Sequence, residues 1–182
     1  MIRWFRGRTS GEDKKRHHWR TACSSAIESE DATRLGELRS QMDHLGNGDV
    51  EIELEMLDAL ERVDEFRKET AAGTLPLVET HHRVIGVERC HFTAPASVPD
   101  DPAQPSGRVL FTPTRSLFVS AGKTSITPWH AVQHVVRTDR DLLLARADGA
   151  SGAVFRFNSF GDAAVAAALA RRLKGTRPTR AV

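Results

Sequence analysis

Residues 107–138 constrain the fold more than any other stretch, because apolar and polar side chains alternate there between turn residues. The alternation continues on both sides of Thr112-Pro113-Thr114-Arg115, where proline can occupy the first central position of a tight turn. A period of two on either side of a turn predicts a β-hairpin. Gly122-Lys123 ends the second run, and another strand is expected near 132–138.

Similar short runs surround this hairpin. The stretch from Val84 to Ala94 suggests a first strand, and the proline-rich stretch 94–106, with Asp100 and Asp101, suggests a long surface loop. Further strands are expected near residues 124–127, 142–147 and 153–158, which brings the total to seven. The alanine-rich stretch 162–174 predicts a final helix, with bases in its last turn.

The first half of the chain has a different period. Ser25 to Glu28 has the spacing of a capping box, which predicts that a helix begins at Ser25. Apolar residues then recur every three or four positions in two stretches joined at Gly46-Asn47-Gly48. We therefore predict an α-helical hairpin over residues 24–73. Its apolar faces must pack on the predicted strands, on a second copy of the chain or on a partner.

Charge divides the chain into three parts. Residues 1–23 carry seven bases and two acids, residues 24–72 carry fourteen acids and five bases, and the remainder carries fourteen bases and eight acids. We predict a flexible basic arm over 1–23. Cations beside aromatic rings suit an anionic surface, so the arm is a candidate membrane contact. Its candidate residues are Arg3, Trp4, Phe5, Arg6 and Arg8.

Composition narrows the class of protein. The sequence has no run of eighteen apolar residues. We therefore expect no transmembrane segment and no secretory signal. The two cysteines, Cys23 and Cys90, lie in unrelated segments and are expected to be free thiols. These features favour a cytoplasmic protein, with peripheral membrane contact left open.

Residues 79–174 resemble a GRAM or PH-like domain. The resemblance rests on the pattern from Gly107 through Val109, Phe111, Thr112, Arg115 and Leu117, and then on Ile126, Trp129, Val132 and Val135. It implies an α+β fold in which a seven-stranded antiparallel β-barrel is capped by the C-terminal helix. The helical hairpin precedes the match, and residues 175–182 form a tail. Such families bind acidic lipids or dock proteins and are not enzymes.

The proposed binding surface of the barrel is basic. Its candidate residues are Arg89, Arg108, Arg115, Lys123, Trp129 and Arg137. Trp129 could instead serve the core, and Arg115 could be a hydrogen-bond donor at the turn. In lipid-binding relatives the loop between the first two strands supplies bases, whereas this loop carries Asp100 and Asp101. That difference argues against specific phosphoinositide recognition.

Catalytic and cofactor motifs are weak. The eight histidines lack the tight spacing of zinc ligands, and Ala121 to Thr124 lacks the earlier glycine of a phosphate-binding loop. No cofactor, metal or specific nucleic acid is expected. The sequence therefore favours a non-catalytic binding module for a protein partner or an acidic membrane surface.

Three other hypotheses remain open. The hairpin over 24–73 could form a homo-oligomer with the barrel as a scaffold, and a small metal-dependent enzyme is a more distant alternative. The acidic hairpin, including Glu51, Glu53 and Glu55, could also lie against a basic face of the barrel and compete with its ligand.

Overall fold

The computed structural model describes residues 11–45, 49–146 and 152–175. Three helices come first in the described chain: α1 (Gly11–Glu28), α2 (Leu35–Met42) and α3 (Glu51–Glu69). The strands are β1 (Phe92–Ser97), β2 (Ser106–Phe111), β3 (Arg115–Ser120), β4 (Lys123–Pro128), β5 (Val132–Thr138), β6 (Asp141–Arg146) and β7 (Ala153–Phe157). Helix α4 (Phe160–Gly175) follows.

All seven strands belong to one antiparallel sheet with the order β4-β3-β2-β1-β7-β6-β5. The sheet curls into a half-barrel around an apolar core that includes Phe111, Leu142 and Phe157. Helix α4 packs into the open side of this core through Leu169 and Leu173. The strand order and the position of α4 define an α+β fold of the PH-like type, which confirms the predicted fold class.

Helix α4 is shared by two cores. Ala163 and Ala167 lie in the core of the half-barrel, whereas Phe160 and Ala164 lie in a second core with α1, α2 and α3. Alanine side chains allow elements to approach this helix closely from more than one side. In the sequence, Val165, Leu169 and Leu173 suggest one apolar side for this helix, and the structure shows burial on both sides.

The predicted arm is wrong over residues 11–23, which form most of α1. The spacing from Ser25 to Glu28 lies in the last turn of α1 and does not begin a helix. Trp19 and Cys23 belong to an apolar face that is buried against α2 and α3, and the Trp19 Nε1 donates to the Leu38 carbonyl oxygen at 2.9 Å. This burial fixes α1, which is added to the predicted hairpin; the two helices of that hairpin are present as α2 and α3.

The first strand also differs from its prediction. Residues 83–85 form a short 3₁₀ turn, and β1 lies further along the chain, where it spans the end of the predicted strand and the start of the predicted loop. Pro95 is tolerated in β1 because pairing with β7 involves only Ala96 and Ser97. The candidate arm residues Arg3, Trp4, Phe5, Arg6 and Arg8, and the tail from 176 onward, lie outside the described residues.

Candidate functional site

Two of the six predicted binding residues are buried. Trp129 lies in the core of the half-barrel, where its Nε1 donates to the Thr112 carbonyl oxygen at 2.8 Å and its ring meets Phe111 edge-on. The Arg137 side chain is only 1% exposed. Neither residue is available at the surface, so the predictions for Trp129 and Arg137 are wrong.

Arg137 instead joins the half-barrel to α1. Its Nε donates to Glu28 Oε1 at 2.7 Å, its Nη1 donates to the Asp139 carbonyl oxygen at 2.8 Å, and its Nη2 donates to Ser24 Oγ at 3.2 Å. Glu28 also pairs with Arg171 of α4. A buried guanidinium with several partners has a structural role, because loss of one partner would leave its charge poorly compensated.

Other ion pairs connect the same regions. Glu30 pairs with Arg172 at 3.1 Å, and Glu55 pairs with Arg140. Glu55 Oε1 also accepts a hydrogen bond from the Phe160 amide at 3.0 Å, at the first turn of α4. The acidic helices therefore do contact bases of the barrel region, as the competition hypothesis requires.

Those contacts lie on α4 and on the turn between β5 and β6. Across the described parts of the chain, no ion pair joins α1, α2 or α3 to Arg89, Arg108 or Lys123. The helices therefore do not mask these three candidate binding residues by ion pairing. The acidic region stabilises the joint with the half-barrel, and the geometry gives no support to direct competition at those positions.

The remaining four candidates occupy separate places. Arg115 is half-buried and pairs with Glu88 at 2.9 Å. Arg108 is exposed on β2, with its Nε 3.3 Å from Thr93 Oγ1. Arg89 and Lys123 are exposed, the first before β1 and the second at the start of β4. The structure therefore does not gather the six candidates into one site.

Arg89 belongs to residues 76–91, which we call the strap. The strap crosses the outer face of β2 and β3, where Ile85 and Cys90 pack on Leu110 and Leu117. Within it, the Val78 amide donates to the Cys90 carbonyl oxygen at 2.8 Å. The strap therefore covers a small second core on the outside of the half-barrel.

The outer side of the strap exposes several apolar side chains. Leu77 is 61% exposed, Val84 is 37% exposed and Val87 is fully exposed, just after a turn in which Gly86 has a φ of 60°. A side chain at Gly86 would strain this left-handed conformation, so glycine suits the turn. The sequence predicts a strand from Val84 onward because Val84, Ile85 and Val87 fit a strand pattern, and this pattern does not reveal the exposed face of the strap.

Lys123 belongs to a different feature, the mouth of the half-barrel. A groove of about 500 Å³ opens there between the loop joining β1 to β2 and the turn joining β3 to β4. Its lining comprises Val98, Asp101, Ala103, Pro105, Phe118, Ser120, Ala121, Lys123, Thr124 and Ser125. One lysine beside one aspartate is a poor match for a polyphosphate, which needs several bases.

A wider crevice of about 700 Å³ lies between α1 and the turn that joins β5 to β6. Arg20 and Glu28 both line it. Arg20 Nε donates to the fully buried Glu53 at 2.8 Å, and Glu28 is held by Arg137. The main charges of this crevice are therefore matched within the chain.

The thiols lie in unreactive surroundings. Burial raises the pKa of Cys23 to about 12, although the Arg137 and Arg34 guanidinium groups oppose the shift. Burial likewise raises the pKa of Cys90. Both thiols are therefore protonated at neutral pH and poor nucleophiles. Across residues 11–45, 49–146 and 152–175, no group of three His, Cys, Asp or Glu side chains is placed to hold a metal ion.

The described helices include none that is long and apolar enough to cross a bilayer. Comparison with known proteins finds no matching family model and no matching curated protein. The C-terminal domain of an unknown protein from Leishmania infantum is 13% identical over 60% of this chain and 95% of its own, with a TM-score of 0.42.

A second solved structure is described as Vav1 inhibited by an allosteric inhibitor, with Vav1 inhibitors that block GEF activity. It is 11% identical and covers 85% of this chain, with a TM-score of 0.42, and the match spans 47% of its own length. Similarity at this level carries no argument about function. The PH-like assignment follows from the strand order and from the position of α4.

Proposed function

We propose that the chain is a non-catalytic docking module that binds an anionic membrane surface through the strap. The resemblance of residues 79–174 to GRAM and PH-like domains supports this proposal, because families of that kind dock on acidic lipids or proteins. The surface we propose is nevertheless the strap and not the mouth of the half-barrel, where the bases that a phosphoinositide requires are missing.

One observation carries the proposal. Eight large apolar side chains are exposed in the described residues, and four of them belong to the strap, between positions 77 and 87. These four are Leu77, Val78, Val84 and Val87. A cluster of exposed apolar side chains on one short segment marks an interaction surface, whereas isolated exposed residues do not.

Charge favours an anionic partner. Arg83 and Arg89 flank Val87 and are exposed. The acid between them, Glu88, accepts from Thr114 Oγ1 at 2.8 Å and pairs with Arg115. Each arginine near an anionic leaflet contributes about 1 kcal/mol, and a valine that enters the interface adds a hydrophobic term. The expected contact is weak and reversible.

Shape favours a membrane over a folded protein as the partner. Val87 is fully exposed and lines none of the grooves described above, and a fluid interface can accommodate such a side chain without a matching pocket. The oligomer alternative has less support, since most of the apolar stripes of α2 and α3, including Leu38 and Leu60, is buried within the chain, although Ile52 at the start of α3 is exposed.

Vesicle sedimentation tests the proposal on the full chain. We expect the chain to bind phosphatidylserine-rich vesicles and to lose about tenfold in affinity in Val87→Asp, because an aspartate there cannot enter the interface. Arg89→Glu should weaken binding and reduce its dependence on salt. Val136→Asp, at an exposed apolar position on β5, is the matched control and should bind like the parent chain.

Two results would overturn the proposal. The first is failure of the folded parent chain to bind phosphatidylserine-rich vesicles at low salt. The second is equal loss of binding in Val87→Asp and Val136→Asp, which would mean that any added negative charge weakens binding and that the strap has no special part.

A further inference from the structure

The two edge strands of the sheet, β5 and β4, differ in how far other parts of the chain cover them. At the β5 edge, Lys174 Nζ donates to the Gln133 carbonyl oxygen, α4 packs on the strand, and the register shifts between Val132 and His134. Among the described residues, β4 pairs only with β3, and its first four positions, Lys123 to Ile126, are exposed. Natural sheets usually protect such edges, often with lysine or proline; β4 has Lys123 and Pro128 at its two ends, and none of the described residues covers the backbone between them.

The turn before β4 determines which backbone groups are free. Ala121 and Gly122 have φ values of 40° and 77°, and Ser120 faces Lys123 across them. This is the geometry of a two-residue hairpin turn, whose flanking residues form a hydrogen-bonded pair. Hydrogen-bonded pairs then alternate along an antiparallel ladder. Ser125 and Thr127 therefore bond to β3.

Thr124 and Ile126 consequently direct their N–H and C=O groups away from β3. The next outward position is Pro128, which has no N–H to offer, and this placement agrees with the preference of proline for the free side of an edge strand. The open edge thus presents two amides and two carbonyls with the spacing of a β-strand. Another extended backbone is the partner that satisfies all four groups together.

The side chains beside this edge indicate how an added strand would lie. Ser125 and Phe118 line the groove at the mouth of the half-barrel, on the inner face of the sheet. Ile126 points to the outer face and is 50% exposed. Because side chains of a strand alternate between faces, an added strand would place one set in the groove and the other beside Ile126.

We propose that β4 accepts an extended segment of a partner protein by strand addition. The segment carries an apolar residue beside Ile126 and an acidic residue near Lys123, which is exposed and has no ion pair among the described residues. Asp101 lines the same groove, where its Oδ1 accepts a hydrogen bond from the Ala103 amide at 2.8 Å and its negative charge remains, so the acidic residue of the segment should lie on the side of Lys123.

A peptide suits the site better than a second copy of the chain. Stable protein interfaces bury about 1,200–2,000 Å² in total, which two facing edges of this length do not supply. Pairing of two copies would also leave both grooves unfilled. An extended segment uses the edge and the groove together, and its binding does not depend on the strap.

A matched pair of variants tests the site. Short random peptides displayed on phage are selected on the immobilised full chain, and the recovered peptides are measured against Thr124→Pro and Thr124→Val. Thr124→Pro removes an outward N–H without removing a bond to β3, whereas Thr124→Val keeps that N–H. We expect about tenfold weaker binding to Thr124→Pro and unchanged binding to Thr124→Val. Hydrogen exchange of the Thr124 and Ile126 amides should slow when a peptide binds.

If Thr124→Pro does not fold, Ile126→Lys replaces it, with Val136→Lys on β5 as its control. Recovery of no peptide, or of peptides that bind Thr124→Pro as well as Thr124→Val, would overturn the proposal. So would a free chain that is dimeric and already protected at the Thr124 amide, because a second copy would then occupy the edge. Val87→Asp should leave peptide binding unchanged, so failure of the membrane proposal is recognised separately.

Discussion

Two covers on one half-barrel differ in how they are held. The helical cover, formed by α1, α2 and α3, packs against α4 and buries Leu38 and Leu60 completely. The strap rests on the outer face through Ile85 and Cys90, and it leaves apolar side chains such as Val87 exposed. The comparison indicates that the helical cover is part of the folding unit, whereas the strap is an accessory surface that is available for contact.

The electrostatic contacts follow the same division. The helical cover is joined to the rest of the chain by pairs that include Arg137, whose side chain is 1% exposed, with Glu28, whose side chain is 36% exposed. The strap has the pair between Glu88 and Arg115, whose side chains are 23% and 30% exposed. Loss of a partner is costly for the buried guanidinium of Arg137, whereas neither partner of the strap pair is fully buried, so the first cover should resist local opening more strongly.

The largest expected effect comes from truncating a side chain in the helical cover. Leu60→Ala should lower the free energy of unfolding by about 3 kcal/mol, because it leaves a cavity in a fully buried core. Urea unfolding followed by circular dichroism and by tryptophan fluorescence should show one transition. The control Leu77→Ala, on the exposed side of the strap, should change stability little. Separate transitions for helices and half-barrel would contradict a shared folding unit.

A smaller effect is expected from neutralising an acid in each cover. Glu28→Gln should destabilise the chain by about 2 kcal/mol, because Arg137 remains buried with a weaker partner. Glu88→Gln, its counterpart at the strap, should lower stability by less than about 1 kcal/mol. Urea unfolding of both variants measures the difference, and equal losses would remove the electrostatic distinction between the covers.

The two cysteines report on the covers separately, with Cys23 in the helical core and Cys90 beneath the strap. Under native conditions a thiol reagent should modify Cys90 at least about tenfold faster than Cys23, since local opening of the strap exposes Cys90. Mass spectrometry of partly modified chain gives both rates. Equal rates, both limited by global unfolding, would show that the strap is as firmly held as the helices.

The free energy of unfolding should fall at high pH because of the Cys23 thiol in the helical cover. The pKa of Cys23 is raised from 9.0 to about 12 in the folded chain. Because the folded state keeps this proton while the unfolded state loses it, the contribution is fully present below pH 9 and is lost as the pH rises toward 12. Cys23→Ala should flatten that decline in unfolding free energy. A decline as steep as in the parent chain would assign it to other groups.

The smallest expected effect lies outside both covers. Ala121 has a φ of 40°, a conformation that favours glycine or asparagine over alanine. Ala121→Gly should therefore leave stability unchanged or raise it by up to about 1 kcal/mol, because relief of strain is opposed by the greater freedom of glycine in the unfolded chain. Cys90 modification should keep its parent rate. A large change in that rate would mean that the hairpin and the strap are coupled.

Local patterns in the sequence predict much of the half-barrel. Alternation and turn residues give β2 to β7 because each pairs within a short hairpin or across a clear turn. Helix α1 was missed since its apolar residues, such as Trp19 and Cys23, are few and lie among charges. Their burial depends on contacts with α2 and α3, and the sequence around α1 does not reveal those contacts. Residue Arg137 was misassigned for a similar reason, because its partner Glu28 is more than a hundred positions away.

The candidate sites were less predictable than the fold. Exposure of Val87 depends on how the strap crosses β2 and β3, and a strand pattern in the sequence hides it. The open edge of β4 depends on the order of strands in the whole sheet. Lys123 and Arg89 were identified by charge alone, and charge does not reveal that they lie on separate features.

The most direct test places a polarity-sensitive fluorophore on each cover in turn. Val87→Cys labels the strap and Ile52→Cys labels an exposed position of α3, with brief labelling to spare the buried thiols. On addition of phosphatidylserine-rich vesicles, we expect a shift to shorter emission wavelength for the probe at position 87 and none at position 52. A shift at position 52 alone, or no shift at either position while the chain binds, would contradict docking through the strap.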